Sequence, residues 1–237
     1  MKVFITQKIP EIAKNILTEN GFEVEEFKED RPITQEELIE SASDADAILS
    51  LLTDKIDKSV IDNLPICKVI ANYAVGFNNI DIDYAGSKGI VVTNTPDILT
   101  DATADIAMTL MLACARRLVE GEKYMRDGKF TGWKPQLLMG VELRGKNVGI
   151  IGAGRIGFET AKRAKAFGTN IIYYSRSRKE KFEKELDATY MELDELLKQS
   201  DIISLHIPLN DETNNILNKE RLELLKNDVI IINTARG

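Results

Sequence analysis

Three glycines in the second half of the chain have a spacing that suits a phosphate-binding loop. Gly152, Gly154 and Gly157 follow the apolar run Val148–Ile151 and precede an alanine-rich stretch, Arg155–Phe167. This order predicts a buried strand, a tight turn and a helix. The first glycine permits the turn, the second lets the backbone approach a pyrophosphate, and the third lets the helix pack close to the sheet. The helix N-terminus then offers free N–H groups and partial positive charge to the phosphates.

A glycine-rich turn without a ligand is the alternative interpretation of this motif. The context favours dinucleotide binding, because the motif follows one predicted strand, opens a helix and is followed by a second predicted strand at Asn170–Ser175.

Composition limits the classes of protein and partner. A chain of 237 residues with 43% hydrophobic residues can form one large or two modest domains. A net charge of −7 argues against nucleic acid as a partner. With no apolar run of membrane-spanning length and no signal-peptide pattern, we expect no membrane partner and a cytoplasmic protein. Cys67 and Cys114 are expected to be buried in a reducing compartment, and the single histidine, His206, argues against a metal site.

Strand and helix signals alternate along the chain, which predicts parallel sheets with right-handed crossovers. Predicted strands are Lys2–Thr6, Phe22–Phe27, Ala47–Leu52, Val69–Val75, Val91–Asn94, Val148–Ile151, Ile171–Ser175, Ala188–Met191, Ile202–Ile207 and Val229–Thr234. Predicted helices are Pro10–Asn20, a segment after a capping box at Thr34, Asp101–Arg117, Arg155–Phe167, Lys179–Leu186, Leu193–Gln199 and Lys219–Leu225.

The predicted helix Asp101–Arg117 is apolar nearly all round, which implies burial between domains or subunits. We therefore expect a homodimer. The glycine-rich segment Asp127–Gly145, with the only tryptophan, is expected to be a long loop.

Five stretches of the chain together resemble the D-isomer-specific 2-hydroxyacid dehydrogenase family, and most closely its glyoxylate or hydroxypyruvate reductases. The stretches keep the family's order and are Ala71–Asp81, Val92–Asp105, Gly149–Gly157, Ser204–Leu209 and Ile232–Gly237. The resemblance implies an α/β fold with two doubly wound parallel-sheet domains. Residues 1–97 would form a flavodoxin-like substrate domain. Residues 98–237 would form an incomplete Rossmann NAD(P)-binding domain, with its C-terminal part missing.

The activity implied by the resemblance is hydride transfer between NAD(P)H and a small 2-oxo or 2-hydroxy acid, such as glyoxylate or hydroxypyruvate. Two alternatives stay open. The chain could be a truncated, catalytically inactive nucleotide-binding module, or a corepressor-like relative that senses NAD(H). The family's catalytic set adds a histidine that gives the proton and a glutamate that raises the pKa of that histidine. Both would follow the arginine, on strands that this chain does not have.

Arg236 is the predicted catalytic residue. A guanidinium can hold a substrate carboxylate and polarise the carbonyl through forked donors, and the resemblance gives this arginine that role. The alternative is a terminal surface arginine. By the same resemblance, the backbone N–H groups of Val75 and Gly76 hold the substrate carboxylate, unless the segment is an ordinary strand-to-helix turn. Leu52 either lines the pocket or is a core leucine.

The segment after the second predicted strand of the cofactor domain should select the nicotinamide cofactor. An NAD site usually has an acidic residue there, whereas this chain has Tyr174–Arg178. Ser175, Arg176 and Ser177 could donate hydrogen bonds to a 2′-phosphate, and Arg178 adds charge. We therefore predict NADP(H) in preference to NAD(H). The alternative is a solvated basic loop.

Other cofactor contacts are implied by the resemblance alone. Thr103 would lie near the nicotinamide, although it could equally be a helix hydroxyl bonded to its own backbone. His206 would be a cofactor-side residue and not the proton donor. The full predicted cofactor set is Thr103, Gly152, Gly154, Arg155, Ile156, Gly157, Ser175, Arg176, Ser177, His206, Pro208, Thr234, Ala235 and Arg236.

Overall fold

The computed structural model describes residues 1–235, and the chain divides into two compact units, Met1–Ile98 and Leu99–Gly237. Each unit contains one five-stranded sheet, and all the strand pairs within both sheets are parallel. The predicted fold class, two doubly wound parallel sheets, is confirmed. The assignment of residues 1–97 to substrate and 98–237 to cofactor stays a prediction.

The first unit has the strand order β2-β1-β3-β4-β5. Its strands are β1 (Lys2–Ile5), β2 (Glu23–Glu26), β3 (Ala47–Ser50), β4 (Val69–Asn72) and β5 (Val91–Thr93). Its helices are α1 (Glu11–Glu19), α2 (Gln35–Ala42), α3 (Lys58–Asp62) and α4 (Ile82–Ser87). This is the flavodoxin-like order, and it reverses direction between β1 and β3. Ligands of such sheets bind outside the carboxyl ends of the strands.

The second unit has the strand order β10-β9-β6-β7-β8. Its strands are β6 (Asn147–Ile151), β7 (Asn170–Tyr174), β8 (Thr189–Tyr190), β9 (Ile202–Leu205) and β10 (Ile230–Asn233). Its helices are α5 (Thr100–Ala115), α6 (Leu118–Arg126), α7 (Arg155–Ala166), α8 (Glu180–Leu186), α9 (Leu193–Gln199) and α10 (Lys219–Leu222). Counted from β6, this is the 3-2-1-4-5 order of dinucleotide-binding sheets, with the switch point between β6 and β9.

Each sheet has an apolar core on both faces, as its near-continuous apolar strands predict. In the first unit, Phe4 packs in one cluster and its neighbours Val3 and Ile5 pack in another, because successive strand residues point to opposite faces. In the second unit, Ile150 and Ile151 divide between the two faces in the same way. The helices that return the chain therefore have to cover both sides of each sheet.

The predicted capping box at the start of α2 is confirmed. The Glu37 backbone N–H donates to Thr34 Oγ1 at 3.2 Å, and the Glu37 carboxylate accepts from the Thr34 backbone N–H at 2.9 Å. Arg31 also donates to this carboxylate and holds the pKa of Glu37 at about 2.

Three helices were absent from the sequence prediction: α3, α4 and α6. The first two have five and six residues, too few to show a helical period. Helix α6 was not predicted because it follows α5 without a loop. Arg117 adopts a left-handed conformation (φ 51°) that ends α5 and begins a separate helix.

No helix within residues 1–235 is long and apolar enough to cross a membrane.

The expected burial of α5 between domains or subunits stays a prediction. The helix is buried on one side only, through the set Ala104, Ala107, Met108, Met111 and Ala115. Ile106 and Leu110, which lie outside that stripe, are 55% and 41% exposed. Cys114 also lies outside the stripe and is exposed, whereas Cys67 is buried as expected. Burial raises the pKa of the Cys67 thiol.

Candidate functional site

The glycine turn lies at the switch point of the second sheet, and its three glycines have different surroundings. Gly152 has φ 103°, and a Cβ there would lie 2.5 Å from the His206 carbonyl oxygen. A Cβ on Gly157 would lie 2.1 Å from the Gly152 carbonyl oxygen. A Cβ on Gly154, the N-cap of α7, would meet no heavy atom of the described structure within 4 Å. Gly152 and Gly157 are therefore required by packing, while Gly154 faces open space.

Helix α7 begins at that open space. Arg155 and Ile156 are its first residues, and the N–H groups of a first helical turn have no partner within the helix. They carry partial positive charge, which favours an anion in front of the helix. The turn therefore combines the partial positive charge of a helix N-terminus with an unobstructed approach at Gly154.

His206 lies against the same turn from the end of β9. Its backbone N–H donates to the Ile151 carbonyl oxygen at 2.7 Å, and its ring Nε2 is 2.9 Å from Ser204 Oγ. Burial lowers the pKa of His206 to about 4, so the ring is neutral at pH 7. A neutral imidazole holds no spare proton, in keeping with the prediction that His206 is not the proton donor. Pro208 follows two residues later and is exposed.

We expect the variant His206→Asn to lose less stability than the native protein when the pH falls into the mildly acidic range. The histidine pKa is about 4 in the folded chain and 6.5 in its ordinary state. Between these values the unfolded chain binds more protons, so the free energy of unfolding falls as the pH drops from 6.5 toward 4. The full shift corresponds to about 3 kcal/mol.

Urea unfolding at several pH values from 7.5 to 4.5 measures this contribution as the difference between the two proteins. Carboxylates titrate in both proteins and cancel in the difference. Parallel stability curves for the native chain and the variant would contradict the buried, neutral histidine.

The segment after β7 is held by a cluster of side chains around Glu183. Arg178 donates to both Glu183 carboxylate oxygens, at 3.0 Å from Nε and from one terminal nitrogen. The Tyr173 hydroxyl donates to Glu183 Oε1 at 2.8 Å and accepts from the Lys179 backbone N–H at 2.8 Å. Arg178 was expected to add free charge, but this ion pair already balances it.

The other residues of that segment remain on the surface. Ser175 Oγ donates to the Ser177 carbonyl oxygen at 2.6 Å and thereby closes the turn. Arg176 is exposed, and its side chain has no hydrogen bond or ion pair with the described part of the chain. Of the two arginines, Arg176 is the one available to a ligand.

A surface cavity of about 410 Å³ lies between the start of α5 and the end of β10. Its lining residues are Ala102, Thr103, Ile106, Leu110, Asn233 and Thr234. Thr234 Oγ1 is buried and has no hydrogen-bond partner among residues 1–235. Thr103 is half-buried, and no hydrogen bond of its hydroxyl is found with those residues, so the self-bonded alternative is not supported. Thr103 and Thr234 supply the threonine residues of this lining, although the Thr234 hydroxyl oxygen itself is turned away from solvent.

Ala235 and Arg236, the last residues predicted to bind the cofactor, follow Thr234 directly in the chain. Ala235 donates its backbone N–H to Asn233 Oδ1 at 2.9 Å. Arg236, the predicted catalytic residue, lies outside the described residues.

The predicted substrate residues of the first unit lie at the carboxyl ends of β3 and β4. Leu52 follows β3 and is 49% exposed, which excludes the core alternative. Val75 and Gly76 are half-buried in the loop of residues 73–79, which starts earlier than expected because β4 ends at Asn72.

A half-buried amide joins these two loops, and a buried carboxylate holds the first of them. Asn79 Nδ2 donates to the carbonyl oxygens of Leu51 and Asp54, at 3.1 and 3.0 Å. The Asp54 carboxylate, 1% exposed, accepts from Thr6 Oγ1 at 2.5 Å and from the Leu51 backbone N–H at 2.7 Å. None of these residues was predicted from the sequence, although Asn79 lies within Ala71–Asp81, a stretch that carries the family resemblance.

The structure thus gathers the predicted residues into separate groups within each unit. In the second unit, Gly152, Gly154, Gly157 and His206 form one group, and Thr103 lies with Thr234. In the first unit, Leu52 and the loop carrying Val75 and Gly76 are tied by Asn79. The glycine turn at the switch point of a 3-2-1-4-5 sheet defines the second unit as a dinucleotide-binding unit.

Comparison with known proteins identifies the family. Residues 108–237 match the model of the D-isomer specific 2-hydroxyacid dehydrogenase, NAD binding domain. A glyoxylate reductase of Pyrococcus furiosus is 50% identical over 240 residues, which cover 100% of this chain and 71% of that protein. The chain belongs to the D-isomer-specific 2-hydroxyacid dehydrogenase family.

Solved structures are also similar to this chain in fold and in sequence. A protein from Thermus thermophilus superposes with a TM-score of 0.92 at 42% identity, over 100% of this chain and 74% of that one. A glyoxylate reductase from Paecilomyes thermophila has a TM-score of 0.86 at 33% identity, over 100% and 74%. The prediction of an NAD(P)-dependent oxidoreductase acting on small 2-oxo acids is confirmed.

Proposed function

We propose that this protein is a cytoplasmic glyoxylate or hydroxypyruvate reductase that uses NADPH. The observation that carries the proposal is the unobstructed glycine turn at Gly154. It occurs in a chain whose sequence is 50% identical to that of a protein named glyoxylate reductase. Bound NADPH would supply the hydride to the carbonyl carbon, and the carbonyl oxygen would take a proton. By the family resemblance the proton donor is a histidine paired with a glutamate, both of which follow the catalytic arginine in the family's order. The residues of this chain would bind and orient the two reactants.

The described residues fit a nicotinamide dinucleotide. The pyrophosphate would lie in front of α7, against Gly154 and the N–H groups of Arg155 and Ile156, while Gly152 and Gly157 shape the turn. His206 and Pro208 would flank the cofactor at the switch point. The cavity lined by Thr103, Asn233 and Thr234, with Ala235 next in the chain, would accept a polar group such as the nicotinamide amide.

The preference for NADP(H) rests on the segment that follows β7. No acidic residue lies in Ser175–Lys179 to repel a 2′-phosphate. Arg176 is exposed and would form the charge-assisted contact, with Ser177 as a neutral donor. Ser175 would donate to the phosphate only after it releases the Ser177 carbonyl oxygen. Arg178 would act indirectly, by fixing the segment through Glu183.

A small 2-oxo acid would bind through its carboxylate to the backbone N–H groups of Val75 and Gly76, with Leu52 lining the site. Arg236 would bind both the carboxylate and the carbonyl oxygen, and would stabilise the negative charge that develops on that oxygen.

Exposed apolar side chains at the start of α6, Leu118 and Val119, support a homodimer, because a second copy would remove them from water. Ile106 and Leu110 of α5 instead line the cavity beside Thr103 and Thr234. Light scattering of the purified protein measures the mass directly. A protein that remains a monomer up to about 100 µM, a concentration at which an ordinary stable dimer would form, would contradict this proposal.

The proposed activity is tested by the oxidation of NADPH in the presence of glyoxylate. We expect turnover by the native protein and a loss of about 100-fold or more in Arg236→Ala, since a charged donor to the developing oxyanion is removed. Arg126→Ala, which removes an exposed arginine paired with Glu122 on α6, is the matched control and should retain activity. Saturable NADPH binding without turnover would identify a cofactor-binding module instead. Turnover that survives Arg236→Ala would remove Arg236 from the site.

A further inference from the structure

The loop of residues 73–79 has two successive carbonyl groups fixed by the segment that follows β5. The Ala74 carbonyl oxygen accepts from the Thr95 backbone N–H at 3.0 Å. The Val75 carbonyl oxygen accepts from Asn94 Nδ2 at 2.8 Å. Both carbonyl groups therefore point toward residues 94–95.

This arrangement fixes where the next N–H groups point. The described chain contains no cis peptide bond, and in a planar trans peptide the C=O and the following N–H point in opposite directions. The N–H groups of Val75 and Gly76 consequently both point away from residues 94–95. Neither has a hydrogen-bond acceptor among residues 1–235.

The next carbonyl is held by a different residue. The Gly76 carbonyl oxygen accepts from Nδ2 of the buried Asn72 at 2.8 Å, which fixes the following part of the same loop. The Val75 and Gly76 N–H groups, both at half-buried residues, are therefore two successive donors that point to one side. Successive backbone donors of this kind form a concavity suited to an anion.

We propose that Asn94 is a positioning residue for the substrate carboxylate, acting through the Val75 carbonyl to aim the Gly76 N–H. This inference rests on the proposed function, because it takes the 73–79 loop as the carboxylate site.

Asn94 is the better residue to change, because Asn72 also bonds Ser50 and Asn79 in the core, and its loss would disturb the fold. Asn94→Ala removes the donor. Asn94→Asp keeps the shape but places a carboxylate oxygen against the Val75 carbonyl oxygen, which repels it. Asn63→Ala is a matched control, because Asn63 Nδ2 donates to the Ser59 carbonyl oxygen at the same 2.8 Å, at the end of α3.

The test uses oxamate, a small carboxylate that hydride does not reduce, titrated into the protein and followed through backbone amide NMR signals and calorimetry. In the native protein, oxamate should shift the amide signals of Val75 and Gly76. In Asn94→Ala and Asn94→Asp the Gly76 response should disappear and the affinity for oxamate should fall about tenfold, as expected for one charge-assisted contact. The NADPH affinity should stay unchanged in every variant, and Asn63→Ala should behave as native.

Native-like oxamate affinity and a native-like Gly76 response in both Asn94 variants would overturn the positioning role and leave the proposed function standing. A native protein whose 73–79 amide signals do not respond to oxamate would overturn the substrate site itself, and the positioning role with it. Equal weakening in Asn63→Ala would show a general loss of stability and also overturn the assignment.

Discussion

Replacing Gly154 by alanine should weaken the binding of NADPH and NADH at least about tenfold while the fold keeps its stability. The backbone at Gly154 has φ −84° and ψ −166°, which alanine adopts without strain, and the new Cβ would meet no described atom within 4 Å. The methyl group would instead occupy the space in front of α7, where a pyrophosphate would need close contact with the backbone. Losing one hydrogen bond to a charged group costs about 1.5–3 kcal/mol.

The matched variant is Gly157→Ala, which adds the same methyl group three residues later. There the Cβ would lie 2.1 Å from the Gly152 carbonyl oxygen, so the helix must move from the sheet. We expect a destabilisation of about 3 kcal/mol. Urea unfolding and cofactor fluorescence on both variants separate the two effects. Normal cofactor affinity in a stable Gly154→Ala protein would remove the glycine turn from the cofactor site.

Replacing Arg176 by alanine should lower the affinity for NADPH about tenfold to 100-fold and leave the affinity for NADH nearly unchanged. The exposed guanidinium would form a charge-assisted hydrogen bond to the 2′-phosphate, a group that NADH lacks. The ratio of the two affinities, measured by fluorescence titration at one fixed salt concentration, reports this contact alone.

Arg178→Ala is the control for net charge, because it also removes one positive charge from the same segment. Its guanidinium is already paired with Glu183, so we expect a smaller loss of NADPH affinity than in Arg176→Ala. Equal losses in the two variants, or equal losses of NADPH and NADH in Arg176→Ala, would contradict the assignment of the 2′-phosphate contact to Arg176.

Most of the fold could be predicted because its signals are local. Parallel strands buried on both faces leave continuous apolar runs, such as Val148–Ile151, and the glycine spacing marks the turn after β6. The helix α9 begins and ends where its apolar pattern does, at Leu193 and Gln199. Short helices lack a full period, so α3 and α4 gave no such signal.

The candidate site was harder to predict, because its geometry depends on partners distant in sequence. Nothing in the sequence pattern indicates that Glu183 pairs with Arg178 and leaves Arg176 as the available cation. Val75 follows the end of β4, and Asn94 follows the end of β5, 19 residues later in the chain. Only the parallel pairing of these two strands brings the residues together. The residue types were visible, but the contacts between them were not.

The division at Ile98–Leu99 has a consequence for biosynthesis, because each sheet is built from one continuous stretch of the chain. The ribosome delivers the N-terminus first at roughly 5–20 residues per second, so the second sheet takes on the order of ten seconds to follow. Mixed α/β domains fold on far shorter timescales, roughly milliseconds. The first sheet should therefore be complete before the glycine turn is synthesised, and the nascent chain folds as two successive events.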